Sequence, residues 1–131
     1  MLLDTNVLIR IDEVRLPDDL AFVSAINLVE LRFGVESASN PRTRRRRQEH
    51  ITRAEALFPS GWLPFDDRAA NGAARLSAIV LPHRPSHARS RDMLLAGHAY
   101  ALGARLVTFN AKDFDLVADE VEIIVPELIE W

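Results

Sequence analysis

Four acidic side chains stand after short apolar runs or at the start of a helical pattern: Asp4 in LLDTNVLI, Glu30 in SAINLVELRFG, Asp92 in SRDMLLAGHAYALG and Asp113 in TFNAKDF. Carboxylates that converge on one site repel each other, and desolvation adds to the cost of keeping them ionised. Protonation, arginine pairing or a bound divalent cation can relieve that cost. Oxygen-only donors favour a hard ion that keeps several waters, so Mg2+ with Mn2+ as a substitute, over zinc. Such a cluster suits phosphodiester hydrolysis, in which metal ions activate water and neutralise charge on the phosphate and the leaving oxygen. The chain has no cysteine, which excludes a thiol nucleophile, a cysteine-ligated zinc or iron–sulfur site and a disulfide scaffold.

Each acid also has a purely structural use. Asp4 can cap a helix over 5–12, and Asn27 with Glu30 has capping-box spacing. Asp92 can complement a helix dipole, and Asp113 can be a solvated turn residue after Asn110. Taken one at a time, these uses are the stronger reading; convergence of all four is what weakens them. The histidines His50, His83, His87 and His98 form no helical metal pair, since Pro85 interrupts the His83/His87 spacing, and they read as surface residues.

The elements that must position these groups alternate. Met1–Leu3, Ala21–Ser24, Trp62–Phe65, Arg105–Thr108 and Glu122–Val125 read as short strands. Amphipathic stretches near 5–12, 26–38, 43–58, 67–80 and 90–103 lie between them, the last closed by Gly103. Alternation of this kind implies an α/β domain with a largely parallel sheet. In such a sheet ligands bind outside the carboxyl ends of the strands, and Asp4, Glu30 and the Asn110/Asp113 pair follow strands there. Asp92 reaches the same edge if its helix starts at it.

The length of 131 residues fits one domain, 1–131, with no repeat, linker or boundary. No apolar run is long enough to span a membrane, and the opening segment lacks signal-peptide character, so the expected location is cytoplasmic. The net charge of −3 argues against a uniformly basic nucleic-acid coat, yet it hides a local +5 over residues 42–53 and a local −6 over 106–131. Fifteen of the 16 basic residues are arginine, a bias towards planar bidentate donors.

In these four segments, in this order, the chain resembles the PIN-domain nucleases, and among them the VapC-type toxins of toxin–antitoxin pairs. The resemblance runs from Leu2 to about Trp131. It implies a three-layer α/β/α sandwich around a mostly parallel sheet of about five strands. It also implies a Mg2+- or Mn2+-dependent endoribonuclease, leaving 5′-phosphate and 3′-hydroxyl ends and inhibited by a cognate small, VapB-like antitoxin, with a homodimer favoured. Asp4, Glu30 and Asp92 match the family's core acids: Asp4 and Asp92 as principal metal ligands, Glu30 binding through water or helping to deprotonate the nucleophile. Asp113 is the candidate fourth catalytic acid, in competition with the position of Asn110. Asn6 and Thr108 match polar positions beside the site. Asn27 stands where threonine or serine is more usual, and Gly97-His98 departs from an alanine-rich run.

The arginine run RTRRRRQEH opens a predicted helix with the apolar stripe Ile51, Ala54, Leu57 and Phe58. Its four consecutive arginines span about one turn and cannot all face one groove. Arg44, Arg45, Arg46 and Arg47, together with Arg89 and Arg91 beside Asp92, are candidate RNA phosphate contacts. The run can equally be a solvated face pairing with Glu49 and Glu55, and Arg91 a counter-charge for the acids. Two other classes remain open. A phosphoacceptor receiver-like domain would use strand-end acids such as Asp66-Asp67, and a non-catalytic PIN-like domain would only bind RNA or protein. A dehalogenase-type phosphatase would need an acid where Asn6 stands.

Overall fold

The structure is a computed structural model that describes residues 1–129; Glu130 and Trp131, the end of the expected 1–131 domain, lie outside the described residues. β1 (Leu2–Leu3) turns directly into α1 (Thr5–Leu8), and a 3-10 turn at Ile11–Glu13 leads to β2 (Val14–Arg15). β3 (Val23–Ser24) runs into α2 (Ala25–Glu36), which is followed by α3 (Pro41–Leu57) and β4 (Trp62–Leu63). α4 (Asp67–Val80), α5 (Arg91–Leu102), β5 (Leu106–Val107), β6 (Ile123–Ile124) and β7 (Glu127–Leu128) complete the order. A second 3-10 segment, Ala111–Val117, links β5 to β6.

The sheet is parallel across its width. β4 pairs with β3, β5 with β1 and β6 with β5, all in parallel. A parallel bridge from Leu2 to Phe22, with hydrogen bonds Phe22 N to Met1 O and Leu3 N to Phe22 O, joins the two parts. The spatial order is therefore β4, β3, β1, β5, β6. The chain builds outward from β1 on one side and then returns to its other side, so β1 and β5 flank a topological switch point.

Helices cover both faces. Leu2 and Leu106 pack with Leu76, Met93, Leu95 and Phe114 on the α4/α5 side, whereas Leu3 and Val107 pack with Val7, Leu31, Ile51 and Phe58 on the α2/α3 side. Alternate side chains of each strand thus enter opposite cores, which is why the strands read as unbroken apolar runs rather than as alternating ones. This is the expected three-layer sandwich.

Two features depart from the sequence reading. The stretch 5–12 is not one helix: α1 closes at Leu8 and the 3-10 turn follows. β2 and β7 form an antiparallel pair, Val14 with Leu128 and Arg15 with Glu127, that the strand assignments did not include. Three of its four residues are exposed, so it carries no apolar signature.

Candidate active site

Asp4 is the first residue after β1, and its role begins as local structure. It is the N-cap of α1, and its Oδ1 accepts the Thr5 N–H at 2.7 Å. Thr108, the first residue after β5, is fully buried and donates its hydroxyl to Asp4 Oδ2 at 2.8 Å. Asn6 closes the arrangement: its Oδ1 accepts the Phe109 N–H and its Nδ2 reaches Thr108 Oγ1 at 3.4 Å. The carboxylate is therefore oriented from both sides of the switch point, and each oxygen keeps lone pairs for a further ligand. The capping use of Asp4 and a site use do not exclude each other.

The helix after β3 is started by Ser24, not by Asn27. Ser24 Oγ accepts from Ile26 N, and Asn27 Oδ1 accepts from Ser24 N in a capping box. Asn27 and Glu30 are thus not a capping pair, and Glu30 is free of that duty. Asn27 instead donates to Leu3 O at 3.0 Å and to Thr5 Oγ1 at 3.1 Å, tying α2 to the end of β1. An asparagine serves here because it must donate and accept at once, which threonine or serine would do with shorter reach.

Ser90 caps α5 and places Asp92 in its first turn. Asp113 lies in the 3-10 segment, where its N–H returns to Asn110 O and the neighbouring Phe114 is buried in the core. Asn110 is exposed, and its N–H donates to Thr108 Oγ1.

Electrostatics show which of these groups face one another. Burial pushes the Asp4 carboxyl above its usual value against the hydrogen bonds from Thr108 and Thr5, and the charges of Asp92 and Asp113 push it further. Glu30 is raised by burial, then by Asp4, with Arg91 opposing and Asp92 adding a smaller push. Asp92 is raised by burial and by Asp113, against His87, Arg91 and Arg84. Asp4, Glu30, Asp92 and Asp113 therefore form one coupled acidic group at the carboxyl edge, with Arg91 as a counter-charge. Among the described residues no three of the acids and histidines are drawn together closely enough to hold an ion between them. The donor set, all oxygen and short of positive charge, fits a hard divalent cation.

Two histidines depart from the surface reading. His87 is mostly buried: its Nε2 lies 2.9 Å from Asp113 O and 3.7 Å from Asp92 Oδ2, between two of the acids. His98 is only 3% exposed and its Nδ1 is 2.8 Å from Ser24 Oγ. Nothing in the spacing of His87 announced its position. For His98 the signal was its place on the apolar face of α5. Asp66 and Asp67 are occupied in starting α4, accepting from Ala69 N and Arg68 N.

The arginine run divides by helix face. Asn40 caps α3, with Pro41 at its first position. Arg44 donates to Val35 O and Ala38 O, and Arg47 to Gly34 O at 2.6 Å, so both close off the carbonyl end of α2. Arg45 and Arg46 are exposed and, among the described residues, have no carboxylate partner, as do Arg89 and Arg91. The expected pairing with Glu49 and Glu55 is not what holds the run: Glu55 accepts from Trp62 Nε1, and Arg53 pairs with Asp12.

The comparisons with known proteins agree with this architecture. The family model described as PIN domain matches residues 1–120. The chain is 28% identical over 120 residues to "Ribonuclease VapC1" of Rickettsia felis, covering 87% of each. Among solved structures it is similar to a member of the VapBC family of toxin–antitoxin systems, VapBC-5 of Mycobacterium tuberculosis, with 30% identity, a TM-score of 0.70 and coverage of 94% and 95% of the two chains. It shares the fold of VapBC2 of Rickettsia felis, solved bound to a DNA fragment from the promoter of that system, at 20% identity and a TM-score of 0.73 over 96% and 98% of the two chains.

Proposed function

The chain belongs to the PIN-domain family, and from that premise we propose that it is a metal-dependent endoribonuclease acting as the toxin of a toxin–antitoxin pair. The observation that carries the reading is the coupled group of Asp4, Glu30, Asp92 and Asp113 at the switch point, each of the first three raised by burial and by a neighbouring acid. Carboxyls whose proton affinity is raised by burial and by one another mark a functional site.

Asp4 and Asp92 would hold Mg2+, or Mn2+ in its place, with Glu30 bound through water. The ion, when bound, supplies hydroxide from water near neutral pH and offsets charge on the phosphate. The protein's own contribution is positional. Thr5 and Thr108 fix both oxygens of Asp4, and Asn6 and the Asn110 N–H fix Thr108. Glu30, with its affinity for protons increased by burial, accepts the proton of the attacking water. Asp113 completes the acidic wall, and His87 holds the backbone beside it. Arg91 and Arg89 meet the substrate phosphates. In-line attack of water leaves 5′-phosphate and 3′-hydroxyl ends.

The relatives solved as toxin–antitoxin complexes support a small VapB-like antitoxin as partner, and the family supports a homodimer. Among the described residues no helix is long and apolar enough to cross a membrane. The test is cleavage of a broad RNA panel by Mn2+-loaded protein beside Asp4→Asn and Asp92→Asn. Each variant should lose roughly a hundredfold or more in rate, as expected on removing a group that acts in the transition state. Equal cleavage by all three proteins overturns the assignment.

A further inference from the structure

We propose that the cleft between α1, α2 and α3 is a subsite for one nucleotide of single-stranded RNA next to the scissile phosphate, with its base stacked on Phe33 and its phosphate on Arg46. The inference rests on the nuclease reading and adds to it the residues that would hold the nucleotide beside the cut. The cleft has a volume of about 400 Å³ and starts at the acids, with Thr5, Glu30 and Arg91 in its wall. From there it runs along α3 past Arg46, Arg47 and His50. A second cleft of about 580 Å³ shares Ile9, Arg46 and His50 with it and continues the path past Arg45 and Gln48.

Three observations define what the cleft takes. Phe33 is 64% exposed on its wall, on the face of α2 that also exposes Val29, whereas Ile26, Leu31 and Val35 are buried. An exposed aromatic ring beside arginines is the platform on which single-stranded nucleic acids stack their bases. The two facing arginines also differ in function. Arg47 is spent on Gly34 O, whereas Arg46 has no partner among the described residues and is available to a phosphate. Finally, among the described residues Glu30 is the only acid in the wall of the first cleft, and in the second Asp12 and Glu49 stand among Arg45, Arg46 and Arg53, with Asp12 already paired to Arg53. A duplex would present its bases stacked inward, out of reach of Phe33, so the path selects an unpaired strand.

The test separates this proposal from the nuclease reading by measuring binding without cleavage. Asp92→Asn protein is titrated with a short fluorescein-labelled single-stranded RNA of mixed sequence, and with an abasic ribose-phosphate strand of the same length, across a salt series. Adding Phe33→Ala should weaken the RNA by about tenfold, the order of one base–aromatic stack, and leave the abasic strand unchanged. Adding Arg46→Ala should lower the salt slope for both strands by about 0.7, the value for one phosphate of a single strand. Arg68→Ala, an equal charge change on α4 outside the cleft, should leave the slope as it was. Unchanged RNA affinity in Phe33→Ala, or equal losses for both strands, overturns the subsite and assigns the exposed ring to a protein partner instead. These outcomes hold whether or not the parent protein cleaves RNA.

Discussion

His98 shows how a single residue can be read in two ways until its neighbours are known. Its imidazole lies against the edge of Phe65, ring centroids 5.6 Å apart, with Nδ1 on Ser24 Oγ. Burial lowers its pKa from the ordinary 6.5, and the Asp66 charge opposes the shift without cancelling it. The unfolded chain therefore takes up this proton at a higher pH than the folded chain does. The stabilising contribution is complete above 6.5 and falls away as the pH drops from there through the lowered folded value, with no further loss below it. Urea midpoints taken at neutral and mildly acid pH should fall in the wild type and fall less in His98→Gln. Equal falls would place the acid-sensitive group elsewhere. Asp4 and Glu30 were legible as site candidates from their places after strands, and Asp92 from its place at a helix start, because these positions do not depend on side-chain packing. His87 was not, since its place between Asp92 and Asp113 comes from the turn at 84–90, which has no periodicity to read.

Elements were legible where one face is buried over several turns. α4 and α5 were bounded to within a residue or so by Asp66, Ser90 and the left-handed Gly103, φ 63°. Their mutual distance was not legible, although its cause is present in the sequence as Gly72 and Gly97. A Cβ on Gly97 would lie 2.3 Å from the Ala73 backbone, and one on Gly72 would lie 2.4 Å from Gly97 O. The glycine that departs from an alanine-rich run is thus the point where two helix backbones touch, and α5 carries Asp92 at its start. Gly97→Ala must separate the helices and should cost about 1–3 kcal/mol, the usual range for overpacking. Denaturant unfolding measures the loss, and RNA cleavage should fall with it as Asp92 shifts. A variant of wild-type stability would show that the helices can part freely. The β2/β7 pair marks the opposite limit: two-residue strands with exposed side chains are set by tertiary pairing alone.

On the scale of the whole molecule, the net charge of −3 describes no part of the surface well. The positive arginine face of α3 and the acids at the carboxyl edge meet along one cleft. A cation bound among those acids favours the folded state by mass action, by about 2.7 kcal/mol at a hundredfold excess over its dissociation constant. Mg2+ should therefore raise the thermal midpoint of the wild type in a concentration-dependent way, and should not do so in Asp4→Asn/Asp92→Asn. An equal rise in both would point to binding away from the acids. An α/β domain with a largely parallel sheet could be anticipated from the alternation of elements and the sandwich from the family resemblance, whereas the strand order β4, β3, β1, β5, β6 needed coordinates, because alternation alone does not say on which side of β1 a later strand returns. That return has a consequence for how the protein is made. The hydrogen bond from Thr108 to Asp4 joins residues 104 positions apart. On the ribosome the first acid therefore emerges 104 residues ahead of the threonine that orients it. A growing chain that stops short of β5 leaves one edge of β1 open with Asp4 unheld, so the oriented carboxylate arrives only once β5 has been made.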